Sequence, residues 1–228
     1  GQNGVYFVGK KDNKSEFVFY RRKTAAMSLC IDDIDFGYIK NSKCVYATGF
    51  VQSLSLSVRE VVREIFKFAK ENDILVAYDP NFSEKVTTSA EAKELFEEVS
   101  PYIDIIFLNT KADTEALFDT HSIDKVLKIL ADKAIGASII REHKNGLHVS
   151  NCGCYNFVKY ESSRVVDATG WEAAFNGAFL NYYLKGYDTI KCARLANALS
   201  MLQIKNVGAI KSIPDKIETE KLYNEIYG

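Results

Sequence analysis

The sequence predicts an α/β protein in which helices cover both faces of a mostly parallel sheet. The candidate strands "CVYATG" (residues 44–49), "ILVAYD" and "DIIFLN" are apolar almost throughout, as is typical of strands buried on both faces. Helical patterns separate these strands along the chain, and such alternation favours a parallel arrangement. The chain has 228 residues, 47% of them hydrophobic, which suits one large domain or one domain with a small appendage.

The N-terminal stretch "GVYFVGKKDNKSEFVFYRR" departs from this pattern. It consists of two apolar and aromatic runs around a polar tip at residues 10–15, which predicts a β-hairpin. The hairpin stands apart from the strands and helices that follow it.

Later segments continue the alternation of helices and strands. The stretch "LSVREVVREIFKFAKEND" predicts a helix with one apolar stripe, formed by Val58, Val61, Val62, Ile65, Phe66 and Ala69. The stretch "SAEAKELFEEVSPYI" predicts a helix with Ser89 as its N-cap. "GASIIR" predicts a strand, and two short strands are expected around residues 147–149 and 155–159. Further helices are predicted at residues 111–118, 123–133, 171–185, 189–205 and 215–227.

Polar residues close three of the predicted strands, in the Asp79-Pro-Asn segment, at Asn109 and in the Arg141-Glu-His segment. Because ligands gather at the carboxyl ends of parallel strands, these residues together predict a ligand crevice. The alternative for each is a residue that merely starts a turn, since Asp, Asn and Pro all favour turns.

The segment "DATGWEAAF" (residues 167–175) predicts a strand-to-helix turn at Gly170. Such a turn directs backbone N–H groups and the positive end of the helix dipole at an anion. Trp171 opens an apolar stripe of helical spacing, so its ring is either a core or wall residue or a surface on which a cofactor stacks.

Composition argues against several classes of protein. Twenty-nine basic and 30 acidic residues give a net charge of -1, with no basic field for nucleic acid or a membrane surface. The five scattered cysteines form no zinc pattern and are expected to be reduced, as in a cytoplasmic protein. No apolar run has the length of a membrane span, and Gly1 in place of an initiator Met indicates a processed, tagged or partial chain.

The whole chain resembles the ribokinase-like (PfkB) sugar kinases, and within them the 2-keto-3-deoxygluconate kinases. The matching stretches, in family order, are "GVYFV", "FYRRKTAA", "ATGFVQSLS", "AYDPNFS", "DIIFLNTKAD", "DATGWEAAFNGAFL" and "GAIKSIP". The resemblance implies a three-layer α/β/α fold, with residues 1–24 as part of a small β lid and residues 25–228 as the kinase domain. The family's first segment, with its opening strand and Gly-Gly-Asn sugar-binding stretch, has no counterpart in these residues.

The resemblance also implies an activity, which is ATP-dependent phosphorylation of a sugar hydroxyl with Mg²⁺ bridging the phosphates. Its expected partners are a sugar acid, a nucleotide and a second copy of the chain bound through the lid. It assigns the catalytic positions to Gly170, Glu172 and Ala173. It assigns sugar binding to Phe19, Arg21, Asp79, Asn81 and Asp167. It assigns nucleotide binding to Asn109, Arg141, Gly146, Thr169, Gly170 and Asn197, and it assigns no metal ligand. Arg21 has an alternative role as a solvated charge on the edge of the hairpin.

The sequence departs from the family pattern at the reacting groups. The family's turn reads roughly Asp-Thr-Thr-Gly-Ala-Gly-Asp-Ala-Phe, so the position of the catalytic Asp is Ala173, which accepts no proton. Glu172 lies one residue earlier, and a helix step of about 100° directs it elsewhere. Trp171 and Glu172 also replace two small residues that let the backbone approach a phosphate.

Three other family positions differ. Ser83 replaces an Arg, Ala112 replaces the Glu of Asn-x-x-Glu with Asp113 offset by one, and His143 replaces the first glycine of Gly-x-x-Gly. The sequence therefore leaves three hypotheses. The chain is a sugar-acid kinase in which Glu172 or Asp167 has become the base, or a non-catalytic relative that binds a ligand or a protein. The third hypothesis is a fragment or decayed copy whose first strand is supplied by a partner or left unpaired.

Overall fold

The computed structural model describes residues 1–11, 14–20, 22–142, 145–160 and 164–228, with the backbone alone for residues 10, 11, 14–17 and 19. The chain divides into two compact units. One unit contains residues 1–104 and 116–119, and the other contains residues 105–115 and 120–228.

The first unit begins with the predicted hairpin, which is confirmed. Strands β1 (Val5–Lys11) and β2 (Lys14–Tyr20) pair antiparallel in a two-stranded sheet of their own. The remaining elements of this unit are α1 (Phe36–Lys40), β3 (Cys44–Thr48), α2 (Gly49–Gln52), α3 (Leu56–Glu71), β4 (Leu75–Asp79) and α4 (Ser89–Val99). Strands β3 and β4 pair in parallel, from Cys44 opposite Leu75 to Thr48 opposite Asp79.

Helix α3 shows why its sequence forms a helix. Ser55 caps its N-terminus by accepting the Val58 N–H, and Val58, Val61, Val62, Phe66 and Ala69 of the predicted stripe are buried. Ile65, at the margin of the stripe, is only partly buried.

The predicted N-cap of α4 is wrong by one residue. Thr88, not Ser89, takes the extended backbone conformation of a cap, and its hydroxyl accepts the Glu91 N–H at 3.2 Å. The short helices α1 and α2 were not predicted, because neither spans two turns and so neither has a readable apolar period.

The second unit carries the rest of the predicted alternation. Its elements are β5 (Ile105–Asn109), the first part of α5 (Asp113–Phe118), α6 (Ile123–Asp132), β6 (Ala137–Glu142), β7 (Gly146–Asn151), β8 (Cys154–Lys159), α7 (Trp171–Tyr183), α8 (Thr189–Gln203) and α9 (Lys216–Tyr227). Strands β5 and β6 are parallel, whereas β6, β7 and β8 form an antiparallel meander.

The core of the second unit forms where α7 packs on β5. The ring of Phe107 meets the rings of Phe175 and Phe179 edge to face, with centroid distances of 6.5 and 5.4 Å. This packing anchors the first turns of α7 against the sheet. Within the described residues, no helix combines the length and apolarity needed to cross a bilayer.

Candidate active site

A turn at Gly170 precedes α7, as the sequence predicted, but the strand expected to lead into it is wrong, since residues 164–169 form no strand. Gly170 lies in the left-handed region with φ 80°, and a Cβ atom on it would lie 2.9 Å from the Cβ of Ala209. A glycine is therefore required both for the backbone conformation and for the close approach of residue 209.

Asp167 holds this turn together. Its Oδ1 accepts the Thr169 N–H at 3.0 Å and the Thr169 hydroxyl at 2.7 Å, and its Oδ2 accepts the Gly208 N–H at 2.9 Å. One carboxylate oxygen thus bonds within the turn and the other to the backbone at residue 208. This arrangement argues for a structural role of Asp167 and against its service as the base.

Helix α7 begins directly after the glycine. The Ala174 N–H bonds to the Gly170 carbonyl, and the preceding N–H groups of the first turn have no acceptor within the helix, as at every helix start. Ala173 is exposed and Glu172 is half-buried. The expected position of a proton acceptor therefore carries a solvent-facing methyl group in the first turn of α7.

Arg141 lies at the end of β6, opposite Asn109 on β5. It is only 1% exposed, its Nη2 donates to the side-chain Oδ1 of Asn176, and its guanidinium lies 5.8 Å from the centre of the Trp171 ring. Phe107 and Phe175 also face the guanidinium, at 5.7 and 5.4 Å. Aromatic faces compensate a buried cation, so Arg141 and Trp171 form one wall beside the first turn of α7. Trp171 is partly buried, and its two predicted roles stay predictions.

The loop after β5 is closed by a buried carboxylate. Asp113 is fully buried, and its Oδ2 accepts the Asn109 N–H at 2.7 Å. Asp113 therefore fixes the loop to the last residue of β5 by a hydrogen bond, although its sequence position is one residue from that of the family's Glu.

An open pocket of about 570 Å³ lies beside this loop. Its lining consists of Thr110, Lys111, Glu115, His121, Ile123, Glu142 and Asn145. Gly146, predicted to bind nucleotide, is buried at the start of β7 next to Asn145.

Asn197 is buried in α8 and bonds to the C-terminal helix. Its Nδ2 donates to the Tyr227 hydroxyl at 2.7 Å, and the Arg194 guanidinium lies 5.3 Å from the centre of the Tyr227 ring. The amide that sequence reasoning assigned to a nucleotide thus already binds a side chain of α9.

Tyr160 is a further polar residue of this region that sequence reasoning missed. Burial raises the pKa of its hydroxyl, Arg141 opposes this shift, and Glu172 and Tyr227 add to it. Among the described residues, the Tyr160 hydroxyl has no hydrogen-bond partner. A buried hydroxyl beside Arg141 and Glu172 gives this part of the unit a polar interior.

Of the predicted sugar-binding residues that the structure describes, Phe19, Asp79 and Asn81 belong to the first unit and Asp167 to the second. Asp79 is 1% exposed at the end of β4, and its Oδ1 accepts the Asn81 N–H at 3.0 Å, which forms an Asx-type turn. Arg21 lies outside the described residues, and only the backbone of Phe19 is described.

The second unit therefore brings several predicted residues together around the start of α7. The turn and the start of α7 together carry Asp167, Thr169, Gly170, Glu172 and Ala173. The Arg141 guanidinium lies against the ring of Trp171, the first residue of α7. Asn197 instead engages α9. Sequence reasoning missed the partners of these residues, because periodicity does not report which buried polar groups meet.

The match to a family model identifies the class of protein. Residues 1–216 match the model of the pfkB family of carbohydrate kinases, and the chain belongs to that family. An ATP-dependent 6-phosphofructokinase of Thermoanaerobacterium thermosaccharolyticum is 29% identical over 221 residues, 96% of this chain and 67% of the relative. A 2-dehydro-3-deoxygluconokinase of Thermoproteus tenax is 25% identical over 223 residues, with the same two coverages.

Solved structures agree in fold. Ribokinase II of E. coli, solved with ATP and Mg²⁺, has a TM-score of 0.88 at 18% identity, over 97% of this chain and 71% of that one. The 2-dehydro-3-deoxygluconokinase of Thermotoga maritima has a TM-score of 0.87 at 23% identity, over 98% and 74%. The predicted fold class, a mostly parallel mixed sheet flanked by helices, is confirmed. The chain is a PfkB-family sugar kinase by descent.

Proposed function

We propose that the chain is a cytoplasmic kinase-like protein for 2-keto-3-deoxygluconate or a related sugar acid, with phosphoryl transfer slowed by the loss of its general base. The observation that carries this proposal is the exposed Ala173 methyl group in the first turn of α7, directly after the turn at Gly170. Loss of a positioned base costs about 10²–10⁴-fold in rate and leaves the other contributions in place.

The residues around Gly170 fit the phosphates of ATP. Gly170 permits close backbone approach, and the N–H groups of the first turn of α7 would hold the transferred phosphoryl group. Glu172 works against this fit, because its carboxylate adds negative charge beside the phosphate position. We therefore expect weak binding of ATP and a high KM.

Mg²⁺ would enter with the nucleotide. In the described part of the chain, no three His, Cys, Asp or Glu side chains are grouped as ligands for a metal ion. Mg²⁺ is commonly bound through substrate phosphates and water with only one or two carboxylates, and its role with ATP is to neutralise charge on the phosphates.

The remaining assignments extend the same proposal. Residues 1–24 serve as part of a lid over the sugar, where Phe19 and Arg21 would contact the sugar acid together with Asp79 and Asn81. Two copies of the chain also associate through their lids to form a homodimer. The apolar side chains exposed on β1 and β2 support this part of the proposal.

The test is ADP release from ATP and Mg²⁺ with 2-keto-3-deoxygluconate, measured for the wild type and for Ala173→Asp. We expect slow release by the wild type and a gain of about 10²–10⁴-fold in the variant. Asn181→Asp is the matched control, because it adds the same charge at another exposed position of α7 and should leave the rate unchanged.

Two outcomes would contradict the proposal. Wild-type turnover as fast as that of Ala173→Asp would mean that another carboxylate acts as base, and Glu172→Gln would then abolish it. No release by either protein with sugar acids or with fructose would favour the second candidate, a non-catalytic module that binds a ligand or a protein. The engagement of Asn197 by Tyr227 favours that candidate.

A further inference from the structure

Gln203, the last residue of α8, is fully buried beneath the turn at Gly170. Its Nε2 lies 2.9 Å from the Thr169 carbonyl oxygen, 3.2 Å from the Ser212 hydroxyl and 3.4 Å from the Gly208 carbonyl oxygen. An amide NH₂ group has two hydrogens, so they are shared among three acceptors. One side chain thus joins the turn at Thr169 to the loop at residues 204–212.

The same loop contacts the turn through its backbone. The Ile204 carbonyl accepts the N–H groups of both Val166 and Asp167, at 2.8 and 3.2 Å. The loop also supplies the Gly208 N–H to Asp167 and the Ala209 methyl group against Gly170. The conformation of the turn is therefore set by this loop as much as by its own residues.

The two ends of the Gln203 amide differ in their hydrogen bonding. Within the described residues, Gln203 Oε1 is buried without a hydrogen-bond partner, although its Nε2 is surrounded by acceptors. A buried oxygen without a donor is unfavourable, and an apolar side chain of similar size would avoid it. The feature that a glutamine adds at this position is its NH₂ group, and every contact of that group leads to the turn or to its supporting loop.

We infer that Gln203 is a positioning residue, which holds the anion-binding turn and its loop in the geometry that directs the first N–H groups of α7 at a phosphate. The role of the turn as a phosphate site rests on the proposed function, whereas its attachment by Gln203 does not. Without this attachment the Thr169 carbonyl would lose its donor, and residues 167–172 would open more readily to solvent.

The test compares hydrogen exchange of the backbone amides at residues 167–173 in the full chain, without ligand, for the wild type and Gln203→Met. We expect exchange about ten-fold faster in Gln203→Met, since methionine keeps the volume of glutamine and removes the NH₂ group. Gln52→Met is the matched control. Gln52 also ends a helix, is fully buried and donates through its Nε2 to a carbonyl, but in the other unit. This control should destabilise the chain without accelerating exchange at residues 167–173.

A second readout uses the same substitution in the Ala173→Asp background, where positioning predicts a fall in kcat for ADP release together with weaker binding of ATP. If Gln203→Met does not fold, Ser212→Ala removes the hydroxyl that accepts from Gln203 Nε2 and donates to the Gly208 carbonyl, which loosens the loop and should accelerate the same exchange to a smaller extent. Exchange at residues 167–173 no faster in Gln203→Met than in Gln52→Met would overturn the inference. Faster exchange in chains that never release ADP would overturn the proposed function and leave the positioning role standing.

Discussion

At the scale of the residue, Gly170 is the position where identity matters for both structure and function. Its φ of 80° is costly for any other L-residue, and residue 209 leaves no room for a side chain. We expect Gly170→Ala to lower the free energy of unfolding by about 2 kcal/mol, from backbone strain and from the displacement of residue 209. Denaturant unfolding measures the loss, and titration with ATP should show weaker binding.

Gly177 of the same helix provides the control. A Cβ atom there meets nothing within 4 Å. Gly177→Ala should therefore raise the free energy of unfolding by about 0.5–1 kcal/mol, the usual gain for alanine over glycine inside a helix. Equal effects of the two substitutions would contradict the requirement for glycine at position 170.

At the scale of the element, an ion pair joins α3 to α4. Arg59 donates from Nε and Nη2 to the two carboxylate oxygens of Glu98, at 2.7 and 2.5 Å, and from Nη2 to Glu94 at 2.7 Å. The hydrogen bonds from Arg59 hold the pKa of Glu98 below its ordinary value of 4.5. A carboxyl group with a lowered pKa in the folded state stabilises the fold above its unfolded pKa. This contribution is lost as the pH falls through the folded value.

Glu98→Gln should accordingly lower stability at neutral pH by about 1 kcal/mol, an upper value for a partly exposed pair. The difference from the wild type should shrink as the pH falls below about 4.5, because the carboxyl becomes neutral first in the unfolded chain and then, at a lower pH, in the folded one. Urea unfolding between neutral pH and pH 3 measures both effects. Glu94→Gln is the control, since that side chain is 66% exposed and should contribute less. A difference that grows on acidification would contradict this account.

At the scale of the whole molecule, the hairpin of β1 and β2 exposes one continuous apolar face. Val5, Phe7, Val18 and Tyr20 share this face by register, and each is at least half exposed. A two-stranded sheet is marginally stable alone, so a face of this kind favours burial against a partner surface. The proposed partner is the same hairpin of a second copy.

We expect Phe7→Glu to convert a dimer into a monomer in sedimentation experiments, because the charge would be buried in the interface. Tyr38→Glu provides the comparison, since Tyr38 is a 75% exposed aromatic residue that belongs to α1 and not to the hairpin. A wild-type chain that sediments as a monomer, or a Phe7→Glu dimer, would refute assembly through the hairpin.

Much of the fold was readable from local pattern. Apolar runs predicted β3, β4, β5 and β6 to within a residue or two, and the helical period predicted the buried stripe of α3. The sequence did not predict α1 and α2, because these helices are too short to show an apolar period. It also misplaced the N-cap of α4, because Thr88 and Ser89 are adjacent and both are suitable caps. The assigned roles of the site residues remain predictions.

The sequence by itself determined the family, the strand–helix alternation, the glycine turn before α7 and the alanine at the position of the base. These features depend on residue type and on spacing along the chain, both of which are local. Only the tertiary structure decided that Asp167 accepts the Gly208 N–H, that Asn197 bonds to Tyr227 and that Gln203 lies beneath Thr169. Each of these contacts joins residues more than 25 positions apart. A buried polar group selects its partner by which donors and acceptors packing brings within about 3 Å, and no local pattern carries that information.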